Sequence, residues 1–447
     1  MPRSQPIEPI RHASGDTADC RTARPSQGRP FPADFLWGAA TSSHQVEGDN
    51  RCNDWWKYEE SGRLPHRSGE ACRHYQLFEL DFDLARSWGH NAHRFAIEWS
   101  RIEPSEGKWN RDAIAHYSAV IRALKERGLE PIVTLHHFTN PAWFTESGGW
   151  LRHDSAIRFS RYAAYVFEHL GKDVRYWVTI NEPTVYVLQG YINGEWPPCM
   201  KRSWIKAGIA FKNLARAHVA AYGKLHQFRQ DIMVGFAHSA PLFMPCDPRR
   251  KRDRMATALR DLILNRAFFY LIGARGENLR RGTQCLDFIG INYYTRSMIR
   301  SVGWGLGALA GQVCRLSQHS HSGPVSDIGW ELYPRGLRMV LEKFSGFGIP
   351  LFLTENGVAT NDEVLRYDFI IQHLQSLADA LESGINVIGY LYWTLMDNYE
   401  WTMGTDPHFG MAAIDSKTQE RQPRPCVRND SPCQRIRIHQ YLSLIHI

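Results

Sequence analysis

Two glutamates stand out for the company they keep. Glu182 closes the run Tyr176-Trp177-Val178-Thr179-Ile180-Asn181 and is followed by Pro183. The run has the length and the β-branched and aromatic content of a buried strand. Proline has no N–H to give to a ladder and disfavours the helical region for the residue before it, so the strand must end at Glu182. The same device recurs in Pro350-Leu351-Phe352-Leu353-Thr354-Glu355-Asn356-Gly357, where Asn-Gly is the turn signal. Each carboxylate is therefore carried on a rigid element at the point where it opens into a loop. Two carboxyl groups so mounted suit cleavage of a glycosidic bond, in which one protonates the leaving oxygen and the other attacks or activates water.

The elements that must hold this pair can be read from the alternation of patterns. Strand-like apolar runs start near residues 35, 91, 131, 175, 232, 286, 350 and 386. Stretches with apolar residues at helical spacing lie between them. Tyr75, Phe78, Phe82 and Ala85 predict a helix over 74–88, and Ile114, Tyr117, Ile121 and Leu124 predict one over 111–127. Gly89 and Gly128 stop these two. Further helices are expected over 154–170, 255–273 and 330–344, and the Gly/Ser/His-rich segment 300–325 reads as a long surface loop. Strands separated by helices must run parallel, because each crossover needs the helix. Eight such units in 447 residues predict a single-domain α/β fold, a (β/α)8 TIM barrel over 31–425. Both glutamates then fall at carboxyl ends of strands, where this fold places its chemistry.

Composition narrows the class further. The formal charge is +7, but residues 1–30 contribute +2 and residues 417–447 contribute +4, so the body is close to neutral. Arg249-Arg250-Lys251-Arg252 is a local cluster of the kind usually solvated, and a nucleic-acid partner is not expected. Nine cysteines, an odd number without metal-ligand spacing, predict free thiols and a cytoplasmic protein with no metal. No apolar stretch is long enough for a membrane helix, and the N-terminus lacks the apolar core of a secretory signal. Trp 15, Tyr 18 and Phe 21 are many aromatics. Most must pack the core, and the rest are available to stack on the apolar faces of sugar rings.

Asn181-Glu182-Pro183 and Thr354-Glu355-Asn356-Gly357, in this order, resemble the acid/base and nucleophile motifs of family 1 glycoside hydrolases, the β-glucosidase family. Other matches run in order through residues 31–425. The resemblance implies a retaining exo-β-glycosidase acting on terminal unphosphorylated β-D-glucosides, with β-galactosides or β-fucosides as further substrates. It makes Glu355 the nucleophile and Glu182 the acid/base. It makes Arg94 and Asn292 supporting residues near the nucleophile. It makes Gln45, His137, Asn181, Tyr294, Trp393, Glu400, Trp401 and Phe409 a substrate-binding set, with Asn181 on the 2-hydroxyl. Without the family, Gln45 is a loop glutamine, Arg94 a buried cation needing some partner, and Tyr294 an amphipathic core residue. The partner implied is a small β-glycoside or oligosaccharide, with no organic cofactor. A carboxylate at Glu400 is expected to repel a 6-phosphate.

Two rival readings remain at this level. One is a catalytically impaired barrel serving as a sugar-binding module, against which both glutamates speak. The other stays within enzymes: a transglycosylase or a 6-phospho-β-glycosidase. Residues 1–30 read as a disordered extension or the product of an upstream start, having no periodicity. Residues 426–447 read as a non-native tail where the family has a closing helix. Its absence is expected to uncover the flank of the first and last strands at a cost of roughly 5–10 kcal/mol.

Overall fold

A computed structural model of the chain describes residues 31–274, 285–303, 311–314 and 323–427. Eight strands close into a barrel: β1 Leu36–Ala40, β2 Ala92–Ala96, β3 Glu130–Thr134, β4 Tyr176–Asn181, β5 Met233–Ser239, β6 Ile289–Asn292, β7 Leu351–Asn356 and β8 Val387–Trp393. Every neighbouring pair is parallel, and β8 returns to pair with β1. The (β/α)8 barrel expected from the alternation of patterns is the fold observed. The expectations for residues 1–30 and for 428–447 lie outside the described residues.

The barrel is filled from within by a layer that mixes small and large side chains. Ala40, Ala92 and Ala237 make room for Phe288 and Phe352, which are both fully buried. A second, larger cluster fills the space between strands and helices, drawing on Trp99, Tyr117, Phe159, Trp177 and Phe236. Helix Arg111–Glu126 shows why its pattern was legible. Asn110 caps it by accepting from the N–H groups of Asp112 and Ala113, and Ala113, Tyr117, Val120, Ile121 and Leu124 face inward. On the flank between β1 and β8, Phe31 meets Trp37 edge-on at 4.7 Å, and Trp37 lies 6.1 Å from Tyr390.

The structure differs from the sequence reading in four places. Segment 300–325 is not all loop, because Gln312–Val313 pairs antiparallel with Arg296–Arg300. That strand in turn pairs with Leu242–Pro245, which gives a small sheet on the rim. The helix expected from residue 330 begins at Pro334, since proline fits the first helical position and Val325 bridges Glu331 before it. The helix expected over 255–273 is Lys251–Asp261, a wider turn at Leu262–Arg266, then Ala267–Leu271. The 25-residue helix Trp204–Phe228 is not anticipated; its buried face mixes Ala207, Ala210, Ala217 and Ala221 with Leu214, Tyr222 and Leu225. It packs against helix Ser155–Leu170.

Candidate active site

The candidate residues lie at, or just beyond, the carboxyl ends of the strands. At the end of β7, Glu355 is buried and fixed at both oxygens. Arg94 Nη1 donates to Oε1 at 2.7 Å, and the Tyr294 hydroxyl donates to Oε2 at 2.7 Å. Arg94, on β2, has no exposed surface, so a carboxylate close by is a condition of its burial. Its remaining donors are taken up by Thr134 Oγ1 at 2.9 Å, the Thr354 carbonyl at 3.3 Å and Asn181 Oδ1 at 2.7 Å. One guanidinium thus ties β2, β3, β4 and β7 together beneath the opening.

Glu182 follows β4 directly, in the left-handed region at φ 42°, and its N–H still donates to the Ala237 carbonyl at 2.8 Å. Pro183 then starts a short helix, Pro183–Val187. A non-glycine residue in this region, pinned between a strand and a proline, is held there by its surroundings. Asn292 Nδ2 donates to Glu182 Oε1 at 3.0 Å, while Thr354 Oγ1 donates to Asn292 Oδ1 at 2.7 Å and so sets the amide's orientation. Ser239, at the end of β5, also hydrogen-bonds the Glu182 carboxyl.

The two carboxyl groups differ in what surrounds them. Burial, and then the nearby charge of Glu355, push Glu182 up to about 8. Burial also raises Glu355, but there the Arg94 cation, the Tyr294 hydroxyl and the Asn292 amide pull the other way. Only Glu355 has a guanidinium in contact, so when the pair holds one proton it sits on Glu182.

Beside the pair lies a wall of rings and amides. The His137 Nε2 meets the Asn181 amide nitrogen at 3.2 Å, and its Nδ1 is buried with no protein partner. Burial holds this imidazole neutral, well below the usual histidine range. Its ring stacks at 5.7 Å on Trp393 and 6.2 Å from Trp401. Trp393 Nε1 donates to Glu400 Oε1 at 3.1 Å, and burial pushes Glu400 up to about 8. Gln45 is fully buried on the short helix Ser43–Val46, hydrogen-bonded to Ser42, to Asn398 and to Glu400. Phe409 lies 6.1 Å from the Tyr294 ring.

All twelve residues singled out from the sequence therefore line or support one cleft at the carboxyl ends of the strands. His136, the other member of the histidine pair, turns instead to Asn140 at 3.1 Å. Sequence reasoning missed Ser239, Thr134, Thr354 and Trp330. Thr134 ends β3 and Thr354 directly precedes Glu355 in β7, so both could have been found from strand register. Trp330 stands 5.3 Å from Tyr294 on the rim, and nothing in its local pattern marks it.

A parallel eight-stranded barrel with two unlike carboxyl groups under a polar and aromatic wall is the architecture of a glycoside hydrolase. The model of glycosyl hydrolase family 1 matches residues 27–285 and 270–429, and the chain belongs to that family. It is 30% identical to a β-galactosidase of Pyrococcus woesei over 88% of this chain and 94% of that protein. The solved structure of a β-glycosidase from Pyrococcus horikoshii is 42% identical, with a TM-score of 0.81 over 90% of this chain and 93% of that one. A β-glucosidase from Thermotoga maritima, solved in complex with glucoimidazole, is 28% identical with a TM-score of 0.82, over 89% of this chain and 97% of that one. The protein is an enzyme of the β-glycosidase class.

Proposed function

We propose that the protein is a retaining exo-β-glycosidase for terminal, unphosphorylated β-D-glucosides and sugars close to them. The observation that carries the proposal is the unequal treatment of two like side chains. Glu355 has a cation and a phenol in contact and serves as the attacking anion. Glu182 keeps its proton at neutral pH and gives it to the leaving oxygen. Esterifying Glu355 removes the charge that helps to hold the proton on Glu182, which then takes a proton from the incoming water. Asn292 stands by both carboxyls, donating to Glu182 at 3.0 Å and helping to lower Glu355, which supports the short separation that direct attack requires, about 5–5.5 Å.

Asn181 is set by Arg94 to meet the 2-hydroxyl. Gln45, His137, Trp393, Glu400 and Trp401 read the others, and Phe409 closes a side of the cleft. The partners of Glu400 are the neutral Trp393 indole and Gln45 amide, which suit a sugar hydroxyl and bring no positive charge to a phosphate. Because burial keeps Glu400 largely protonated at neutral pH, repulsion of a phosphate is weaker than a bare carboxylate would give. That no cation among the described residues pairs with Glu400 is the stronger argument. Cys52, Cys72, Cys199 and Cys285 are free thiols, which supports a reducing compartment.

Hydrolysis of the aryl β-glucoside, β-galactoside, β-fucoside and 6-phospho-β-glucoside by wild type and by Glu355→Ala tests this. The wild type should prefer the unphosphorylated sugars. The variant should be nearly inactive until azide is added, and should then form an α-glycosyl azide. An equally active Glu355→Ala variant removes the mechanism, and a preference for the phosphorylated sugar removes the substrate assignment.

A further inference from the structure

We propose that Glu98 is a positioning residue that fixes Gln45 and His137 together, and so governs how strongly the enzyme distinguishes the sugar's hydroxyls. The inference rests on the reading of those two residues given above. Glu98 follows β2 and has 1% of its surface exposed. Its carboxylate touches no sugar-facing group, but it collects hydroxyls from both sides. Ser43 Oγ donates to Oε2 at 2.8 Å, and Thr139 Oγ1 donates to the same oxygen at 2.9 Å. Ser100 Oγ donates to Oε1 at 2.8 Å. The backbone N–H of Glu98 is itself held by the Tyr117 hydroxyl at 3.0 Å.

What matters is where those hydroxyls come from. Ser43 opens the short helix after β1 and stands two residues before Gln45. Thr139 lies in the loop after β3, two residues beyond His137. The loops after β1 and β3 are not neighbours in the barrel, since β2 lies between them. One oxygen of Glu98 closes that gap. The β3 loop is also held at the next residue, where Asn140 donates from both its backbone and its amide to Asp54, each at 2.9 Å. Against that second anchor, loss of Glu98 should loosen the Gln45 loop more than unseat the whole rim. A carboxylate can accept from Ser43 and Thr139 at one oxygen. An amide in its place keeps one oxygen but puts a nitrogen where the other stood, and its neutral oxygen accepts more weakly than a charged one, so the clamp is weakened.

The test compares an aryl β-glucoside with its 3-deoxy and 4-deoxy analogues, in wild type and in Glu98→Gln. A misplaced reading group should lower kcat/KM on the intact sugar by about 10- to 100-fold. The deoxy sugars, which no longer make the contact, should lose much less, so that the penalty for removing a hydroxyl shrinks. Equal losses on all three substrates would mean that Glu98 only supports the fold, and would overturn the proposal. A wild type indifferent to both deoxy changes would overturn the assignment of Gln45 and His137, and this inference with it. Ser43→Ala and Thr139→Val each remove one arm of the clamp and provide the same comparison if Glu98→Gln does not fold. Unchanged hydroxyl penalties in both would count equally against it.

Discussion

Replacing Glu355 with glutamine should lower the pH at which Glu182 gives up its proton. The change keeps shape and volume and removes one charge. Burial is the larger reason that Glu182 stands at about 8, and the substitution leaves burial alone. The smaller reason can be sized. Two unit charges about 5.5 Å apart at an effective dielectric of about 20 interact by about 3 kcal/mol, equivalent to about two pH units. Water entering the open cleft screens part of this, so a fall of about one to two pH units is expected. In the wild type, kcat/KM on an aryl β-glucoside should lose its basic limb near pH 8, where Glu182 ionises. In Glu355→Gln, which is too slow for a pH profile, the carboxyl carbons of labelled glutamate can be titrated by NMR, with Glu182→Gln assigning the resonance. A Glu182 that titrates at the same pH in both proteins would refute the reasoning, because the two side chains would then not sense each other.

Other expectations follow from the same contacts. Arg94→Met takes the cation from Glu355, whose pKa should then rise. The acidic limb of kcat/KM should move to higher pH, and the unpaired buried carboxylate should cost about 3–5 kcal/mol in a denaturant titration. Tyr294→Phe removes one charged hydrogen bond of about 1.5–3 kcal/mol, so kcat should fall by about one to two orders of magnitude with the fold intact by circular dichroism. Glu182→Gln should stabilise the protein, and more so at pH 8 than at pH 5. Between its unfolded value near 4.5 and about 8, the folded state holds a proton that the unfolded state has lost, so stability falls as pH rises through that window. Glutamine removes this dependence. Thermal melts of wild type and variant whose difference does not change with pH would contradict it.

What the sequence made legible, and what it hid, divide along a physical line. The strand starts were readable because buried parallel strands are continuous apolar runs ended by Gly, Pro or Asn, and such signals are local. Arg94 stood out for a similar reason, since a cation within a buried run must have a partner. The partner itself could not be read from spacing, as Glu355 is 261 residues away and only closure of the barrel brings the two to 2.7 Å. Ser239 and Trp330 stayed hidden because each acts through a contact made across the rim, and neither breaks any local rule.

The least legible feature is the one on which the chemistry turns. In β4 the register slips between Val178 and Asn181 against β5, and in β7 it slips between Leu353 and Glu355 against β6. Along a strand of strict period two, successive side chains face opposite sides, so Asn181 and Glu182 could not both serve one cleft. An irregularity at the end of each strand re-aims the side chains that follow it. On β4 the left-handed turn at Glu182 completes the change. It lets Asn181 bond Arg94 from below while Glu182 meets Asn292 in the same site. Asn-Glu-Pro is thus a backbone instruction as much as a pair of functional groups: the proline ends the strand at the residue whose side chain has to leave its plane.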